Sequence, residues 1–132
     1  MRILQKSMTL MEIIMVVVLI GILATIGIAN YTKTIANART KEAKSLLLLI
    51  KHAEEVVRVE NNVYVTCANT TACNTNLRLN LPNPASPTWT YSVPTAVSNT
   101  CFCAEAVTSV SGLSTYRIRN DWEVANTSSC SC

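Results

Sequence analysis

Glycine, histidine and aromatic residues are scarce in this chain, and each scarcity closes off a class of chemistry. The three glycines, at 21, 27 and 112, cannot build a glycine-rich phosphate loop. His52 is the single histidine, so no second imidazole exists for a proton shuttle or a metal pair. It sits among charged residues and reads as part of a solvated face. No serine stands in a nucleophile elbow. Aromatics make up 5% of the chain, too few for a base-stacking platform. Of 11 basic residues, Arg2 and Lys6 lie at the extreme N-terminus, and the other 9 face 8 acidic ones. That balance argues against nucleic acid as a main partner. Arg117 and Arg119 read as a solvated strand edge. No catalytic constellation and no cofactor motif can be assembled, so an enzyme is not expected.

Charge is also missing from Ile13 to Ala29. With Leu10 and Met11 the apolar segment is just long enough to span a bilayer. Glu12 heads it, behind the basic leader Met1-Arg2-Ile3-Leu4-Gln5-Lys6-Ser7, whose charge should keep the N-terminus cytoplasmic. A charge on a helix at membrane depth costs roughly 2.5–3.5 kcal/mol, so Glu12 is expected to have a partner or a task. Gly21 and Gly27 suit close helix contact or local melting. Tyr31 falls where an aromatic would meet headgroups.

No helix breaker occurs between Asn30 and Glu60. Ala36, Ala43, Leu46, Leu47, Ile50, Ala53 and Val57 recur at three- and four-residue steps, which predicts an amphipathic helix. Lys51 with Glu54 or Glu55, and Glu54 with Arg58, are expected as pairs on its exposed face. One helix is predicted from about Thr9 to about Glu60, on the order of 75 Å long, ended by Asn61-Asn62. Its first half lies in lipid and its second half backs a head. Cys67 to about Leu77 reads as a polar loop, and Pro82, Pro84 and Pro87 forbid helix until Thr88. Strands are predicted at residues 88–93, 101–110 and 114–119, with Ser111-Gly112-Leu113 as a hairpin turn. Trp89, Tyr91 and Val93 would share one face, as would Tyr116 and Ile118. The fold class is α+β: a long helix packed on a small antiparallel sheet, with an irregular tail over residues 120–132.

All six cysteines, Cys67, Cys73, Cys101, Cys103, Cys130 and Cys132, lie in the C-terminal half. An even set confined there suggests an oxidised, exported domain, too small to be comfortable without staples. A bridge within Cys101-Phe102-Cys103 or within Cys130-Ser131-Cys132 would be strained. Cross-pairing of the two is expected, with Cys67 and Cys73 closing a small loop, although fifteen connectivities are formally possible. A zinc site is the weaker reading, because metal sites favour two-residue spacers; no metal is expected. Asn69-Thr70-Thr71 and Asn126-Thr127-Ser128 fit a glycosylation sequon, a match that Thr-rich loops often produce by chance.

The leader ending Lys6-Ser7, the run Met8-Thr9-Leu10-Met11-Glu12 through Ala24, and Ile28-Ala29-Asn30-Tyr31 resemble the type IV pilin-like superfamily, which holds type IV pilins and type II secretion pseudopilins. The resemblance covers about 60 residues and is strongest to residue 31. It implies a leader, residues 1–7, removed by a prepilin peptidase between Ser7 and Met8, with Met8 then N-methylated and Glu12 fifth in the mature chain. Ser7 and Met8 replace the family's usual glycine and phenylalanine. Ala29 replaces its proline, so any melting during assembly would rely on Gly21 and Gly27. The implied organisation is an anchor and filament core over 8–31, an amphipathic stalk over 32–62 and a head over 63–132.

In a bundle of axially shifted helices, Glu12 of one subunit can meet the Met8 ammonium of the next. That contact neutralises both charges and sets the stagger, and a head-to-tail contact that does not close makes a helical filament. The expected partners are further copies of the chain, the peptidase, the inner-membrane assembly machinery, and lipid before assembly. The filament would be extracellular for a pilus and periplasmic for a secretion pseudopilus. Major pseudopilins usually bind calcium near the C-terminus, and Glu105, Asp121 and Glu123 do not form a calcium loop, which tilts the choice towards a pilin. From a different class comes a secreted binding domain whose signal peptide ends at Gly27-Ile28-Ala29. A further alternative leaves Glu12 snorkelling at the membrane surface.

Overall fold

The computed structural model describes residues 9–83, 88–97, 99–130 and 132, with 26–29 and 97 as backbone only. Ser7, Met8 and the rest of the leader lie outside the described residues, as do Pro84 and Pro87. The chain is α+β. Helix α1 (Leu10–Asn61) is followed by a short α2 (Thr70–Asn76) and by strands β1 (Thr90–Val97), β2 (Cys101–Val107) and β3 (Tyr116–Arg119). The strands form one antiparallel sheet in the order β1-β2-β3. Two compact units divide the chain, Met1–Asn37 and Ala38–Cys132.

Thr9 caps α1, its Oγ1 accepting the Glu12 N–H at 3.3 Å. The sequence Thr9-Leu10-Met11-Glu12 has the spacing of a capping box, with the acid at the electropositive end of the helix. At the other end Asn62 takes φ 59, and its N–H returns to the Arg58 carbonyl at 2.8 Å. Asparagine tolerates that left-handed position better than most residues, so the pair Asn61-Asn62 is a true stop.

In the second unit, Ala43, Leu47, Ile50 and Val57 bury one stripe of α1 against the inner face of the sheet, which carries Tyr91, Val93, Phe102, Ala104 and Ile118. Trp89 is buried beside them, and its indole N–H donates to the Arg39 carbonyl at 3.1 Å. Pro94 sits inside β1, where a central strand would not accept it. Pairing runs Ser92↔Glu105 and then Thr95↔Cys103, so Val93 and Pro94 together face one β2 residue. This bulge absorbs the missing proline N–H and keeps Ala96 opposite Phe102 on the inner side.

Three details differ from expectation. Residues 70–76 form a helix rather than a loop. The segment Thr-Thr-Ala-Cys-Asn-Thr-Asn has no apolar period to signal it. Its stability is tertiary: Asn69 caps it through Ala72 N–H at 2.9 Å, the Cys67–Cys73 disulfide closes it, and Thr70 accepts the Tyr91 N–H at 3.0 Å. The strands also end elsewhere, because pairing decides them; β2 stops at Val107, opposite Thr90, where β1 begins. Finally, residues 108–115 form a longer connection in which Leu113 N–H reaches the Val110 carbonyl at 3.4 Å around Gly112, at φ 84.

Cys101 pairs with Cys132 and Cys103 with Cys130, so the two Cys-x-Cys segments are joined across rather than within. Both sheet edges are covered. Cys67 exchanges hydrogen bonds with Val93 on β1, and Asn126 does so with Arg117 on β3. These short pairings leave little edge for strand addition. Leu47→Ala should cost about 2–5 kcal/mol and Asn69→Ala about 1 kcal/mol, measured by urea unfolding with the disulfides intact. Mapping of the unreduced protein should recover the Cys101–Cys132 and Cys103–Cys130 pairs.

Candidate functional site

Two places in the molecule hold side chains whose arrangement asks for an explanation beyond folding. The first is the N-terminal half of α1. Every described side chain from Leu10 to Thr25 is exposed, and the apolar ones run round the whole helix rather than along a stripe. A helix apolar all round belongs in a protein core or in lipid, and among the described residues this segment is exposed. It is long and apolar enough to cross a membrane. Its internal polar groups are already satisfied: Thr25 Oγ1 donates to the Ile22 carbonyl at 2.7 Å and Thr34 Oγ1 to the Asn30 carbonyl at 2.8 Å. Such back-bonding is what a hydroxyl needs in lipid.

Glu12 stands at the third position of this helix, exposed, and is the one acid of its first turn. Met8, its expected partner from a neighbouring subunit, lies outside the described residues. A side chain added at Gly21 would touch nothing within 4 Å, so the fold of one chain does not need glycine there. The requirement, if there is one, must come from something packed against this face. Gly27 is helical, with no surroundings described.

The second place is Glu54, whose expected exposed pairings with Lys51 and Arg58 fail, whereas Lys51 does pair with Glu55. Glu54 is fully buried. The reason is periodic: 43, 47, 50, 54 and 57 are the steps of one helix face, and Glu54 occupies a core position on it. Its Oε2 accepts the Val65 N–H at 3.0 Å, while Oε1 has no partner among the described residues. Burial pushes its pKa from 4.5 up to about 7, against the pull of the Val65 hydrogen bond. Arg58, expected to pair with it, instead donates Nη1 to the Tyr64 hydroxyl at 3.1 Å and lies 5.4 Å from that ring's centre. Lys51 donates to the Trp122 carbonyl at 2.8 Å, with Glu55 at 3.9 Å. His52 is exposed, 3.5 Å from Glu55.

The outer face of the sheet carries a polar row. Ser92 donates to Glu105 at 3.4 Å, and Arg117 Nε donates to the same carboxylate at 3.3 Å. Arg119 is bonded to Asp121, which holds that carboxyl below the ordinary range. Both arginines are thus committed to carboxylates. A cleft of about 450 Å³ runs beside this row past Thr66, Cys67 and Pro94. Its Ser92 donates to Glu105, a carboxylate already shared with Arg117. No three His, Cys, Asp or Glu side chains among the described residues gather to hold a metal ion. The six cysteines are all in disulfides.

No protein-family model matches this chain, and no curated protein matches it.

Glu54 makes a pH-dependent prediction. Its folded pKa lies above the unfolded value, so between about pH 4.5 and 7 the folded state holds a proton that the unfolded state has lost. Stability from this group therefore falls as pH rises through that window, by roughly 3 kcal/mol. Glu54→Gln removes the titration. Compared by urea unfolding, the variant should match the wild type near pH 4.5 and exceed it above pH 7. An equal difference at both pH values would contradict the assignment.

Proposed function

We propose that this chain is a structural subunit of a type IV pilus-like filament, held in a membrane by the first half of α1 before assembly and in the filament core by the same segment afterwards. One observation carries the reading. A single helix, Leu10–Asn61, is bare and apolar at its start yet forms the buried backing of a disulfide-bonded domain further on. A soluble binding domain needs only the second part. Lipid or other copies of the same helix are the surfaces that match the first.

Glu12 supplies the register. Cleavage before Met8 would place an ammonium one residue ahead of the Thr9 cap, so the mature chain would begin almost at the first turn of the helix. The Glu12 carboxylate of one subunit then offsets the Met8 ammonium of its neighbour. In an apolar core either charge alone is costly, and the pair is tolerable. The contact repeats head to tail, and copies add without closing. Gly21, with open space about it, allows close helix approach in such a bundle. The head then lies outside the apolar core, in an oxidising compartment consistent with three disulfides. Glu105, Asp121 and Glu123 do not assemble a calcium loop, which favours an extracellular pilus over a secretion pseudopilus. The role is architectural rather than catalytic.

Glu12 stands in the first turn at capping-box spacing from Thr9, so the test must separate a helix-end contribution from assembly. Gln at the same position keeps the capping geometry and removes the charge. Both Glu12→Ala and Glu12→Gln should reduce sheared filaments at least about tenfold by analogy with the cost of one unpaired charge, with the protein still in the membrane fraction. Normal filaments from Glu12→Gln would remove the charge pair from the mechanism. The mature N-terminus decides the class: methylated Met8 supports the filament subunit, and Asn30 a secreted domain.

A further inference from the structure

Three Asn-x-Ser/Thr tripeptides occur in the chain; Asn30-Tyr31-Thr32 lies inside α1, and the fold treats the other two differently. Asn69-Thr70-Thr71 opens α2. Asn69 Oδ1 caps the helix, Thr70 is buried with its hydroxyl accepting the Tyr91 N–H, and Thr71 Oγ1 accepts from Asn83 at 2.8 Å. A transferase must draw its acceptor tripeptide into a cleft in an open conformation. This one can open only by unwinding a helix that the Cys67–Cys73 disulfide closes.

Asn126-Thr127-Ser128 lies outside every helix and named strand. The Asn126 backbone is pinned to Arg117 by hydrogen bonds of 2.7 and 2.9 Å, while Thr127, Ser128 and Ser129 are exposed. Asn126 Oδ1 accepts the Ser128 N–H at 2.9 Å. That bond draws density from the amide and makes its Nδ2–H more acidic, and Nδ2 has no partner among the described residues. The Ser128 hydroxyl is likewise uncommitted among them. The three disulfides place the domain outside a reducing cytosol, where such tripeptides in surface loops are modified.

We infer that Asn126 is an N-glycosylation site, the acceptor for an oligosaccharide carried on a lipid pyrophosphate. In the transfer a bond forms between Nδ2 and the sugar's anomeric carbon. The bond from that carbon to the pyrophosphate oxygen breaks, the lipid pyrophosphate leaves with the electron pair, and the amide proton passes to a base on the transferase. The glycan would stand beside the β3 edge and next to Val124, which is 58% exposed. It would shield the exposed Val124 from contact with another chain. This inference is independent of the filament reading.

The test is peptide mapping of the full-length protein purified from the cells that naturally make it. The peptide holding Asn126 should carry added hexose-type mass and the Asn69 peptide none. Asn126→Gln and Ser128→Ala should each abolish the addition, while Thr127→Ala retains it; unchanged disulfide pairing shows that each variant is folded. An unmodified Asn126 peptide in native material, a glycan on Asn69 instead, or one that survives Ser128→Ala would each overturn the proposal.

Discussion

Exposed apolar surface on the first half of α1 is the constraint on which the rest of this molecule depends. Twelve large apolar residues between Leu10 and Leu23 are exposed on α1. They are 44–77% exposed, so leaving them in water forgoes on the order of 10–20 kcal/mol, a little over half of the roughly 1.5–3 kcal/mol that full burial of each would give. A typical domain is stable by only about 5–15 kcal/mol in total. This half of the helix must therefore meet lipid or other protein. Glu12 intensifies the requirement, because whatever covers its neighbours also removes water from a carboxylate. A partner cation from an adjoining copy resolves both demands at once, which is why the proposed function follows from this segment rather than from the head.

Beyond Asn37 the same helix obeys a different rule. One stripe is buried and the remainder is solvated, and the head is assembled on that stripe. With only three strands and a seven-residue helix, its core is small, so covalent closure carries a large share of the stability. The two bridges between β2 and the tail are nested: either one, taken alone, closes a loop of about thirty residues and contributes about 3–4 kcal/mol in the chain-entropy model, and the other adds less. They also explain why Cys103 is 2% exposed although it lies on the sheet face away from α1. The tail, fixed at Asn126, Cys130 and Cys132, is bonded to Cys103 on that face. Glu54 is the exception to a comfortable core: a buried acid whose pKa burial pushes up to about 7, holding Val65 where the chain turns from helix to head.

Much of this was legible from local patterns. The stop at Asn61-Asn62, the inward face of Trp89, Tyr91 and Val93, and the cross-joined Cys-x-Cys segments each follow from backbone preference, side-chain alternation or bond geometry within a few residues. Glu54 was misread: its helical spacing to Lys51 and Arg58 suggested exposed salt bridges, and its place in the series 43, 47, 50, 54, 57 overrules them. The Thr9 cap was visible as a threonine three residues before a glutamate.

Sequence alone determined the continuous helix, its apolar first half, the lone acid at its head and the oxidised character of the remainder, because periodicity, charge and composition act locally and need no partner. Tertiary structure decided the rest. Residues 70–76 became helical because a cap, a disulfide and a hydrogen bond to β1 met there. Pro94 stayed in a strand because a bulge opposite Ala104 released it from the ladder, and Glu54 lost its water because its face of α1 had to meet the sheet. Each of these outcomes depends on groups far apart in the chain, and only their approach in space sets which local preference prevails.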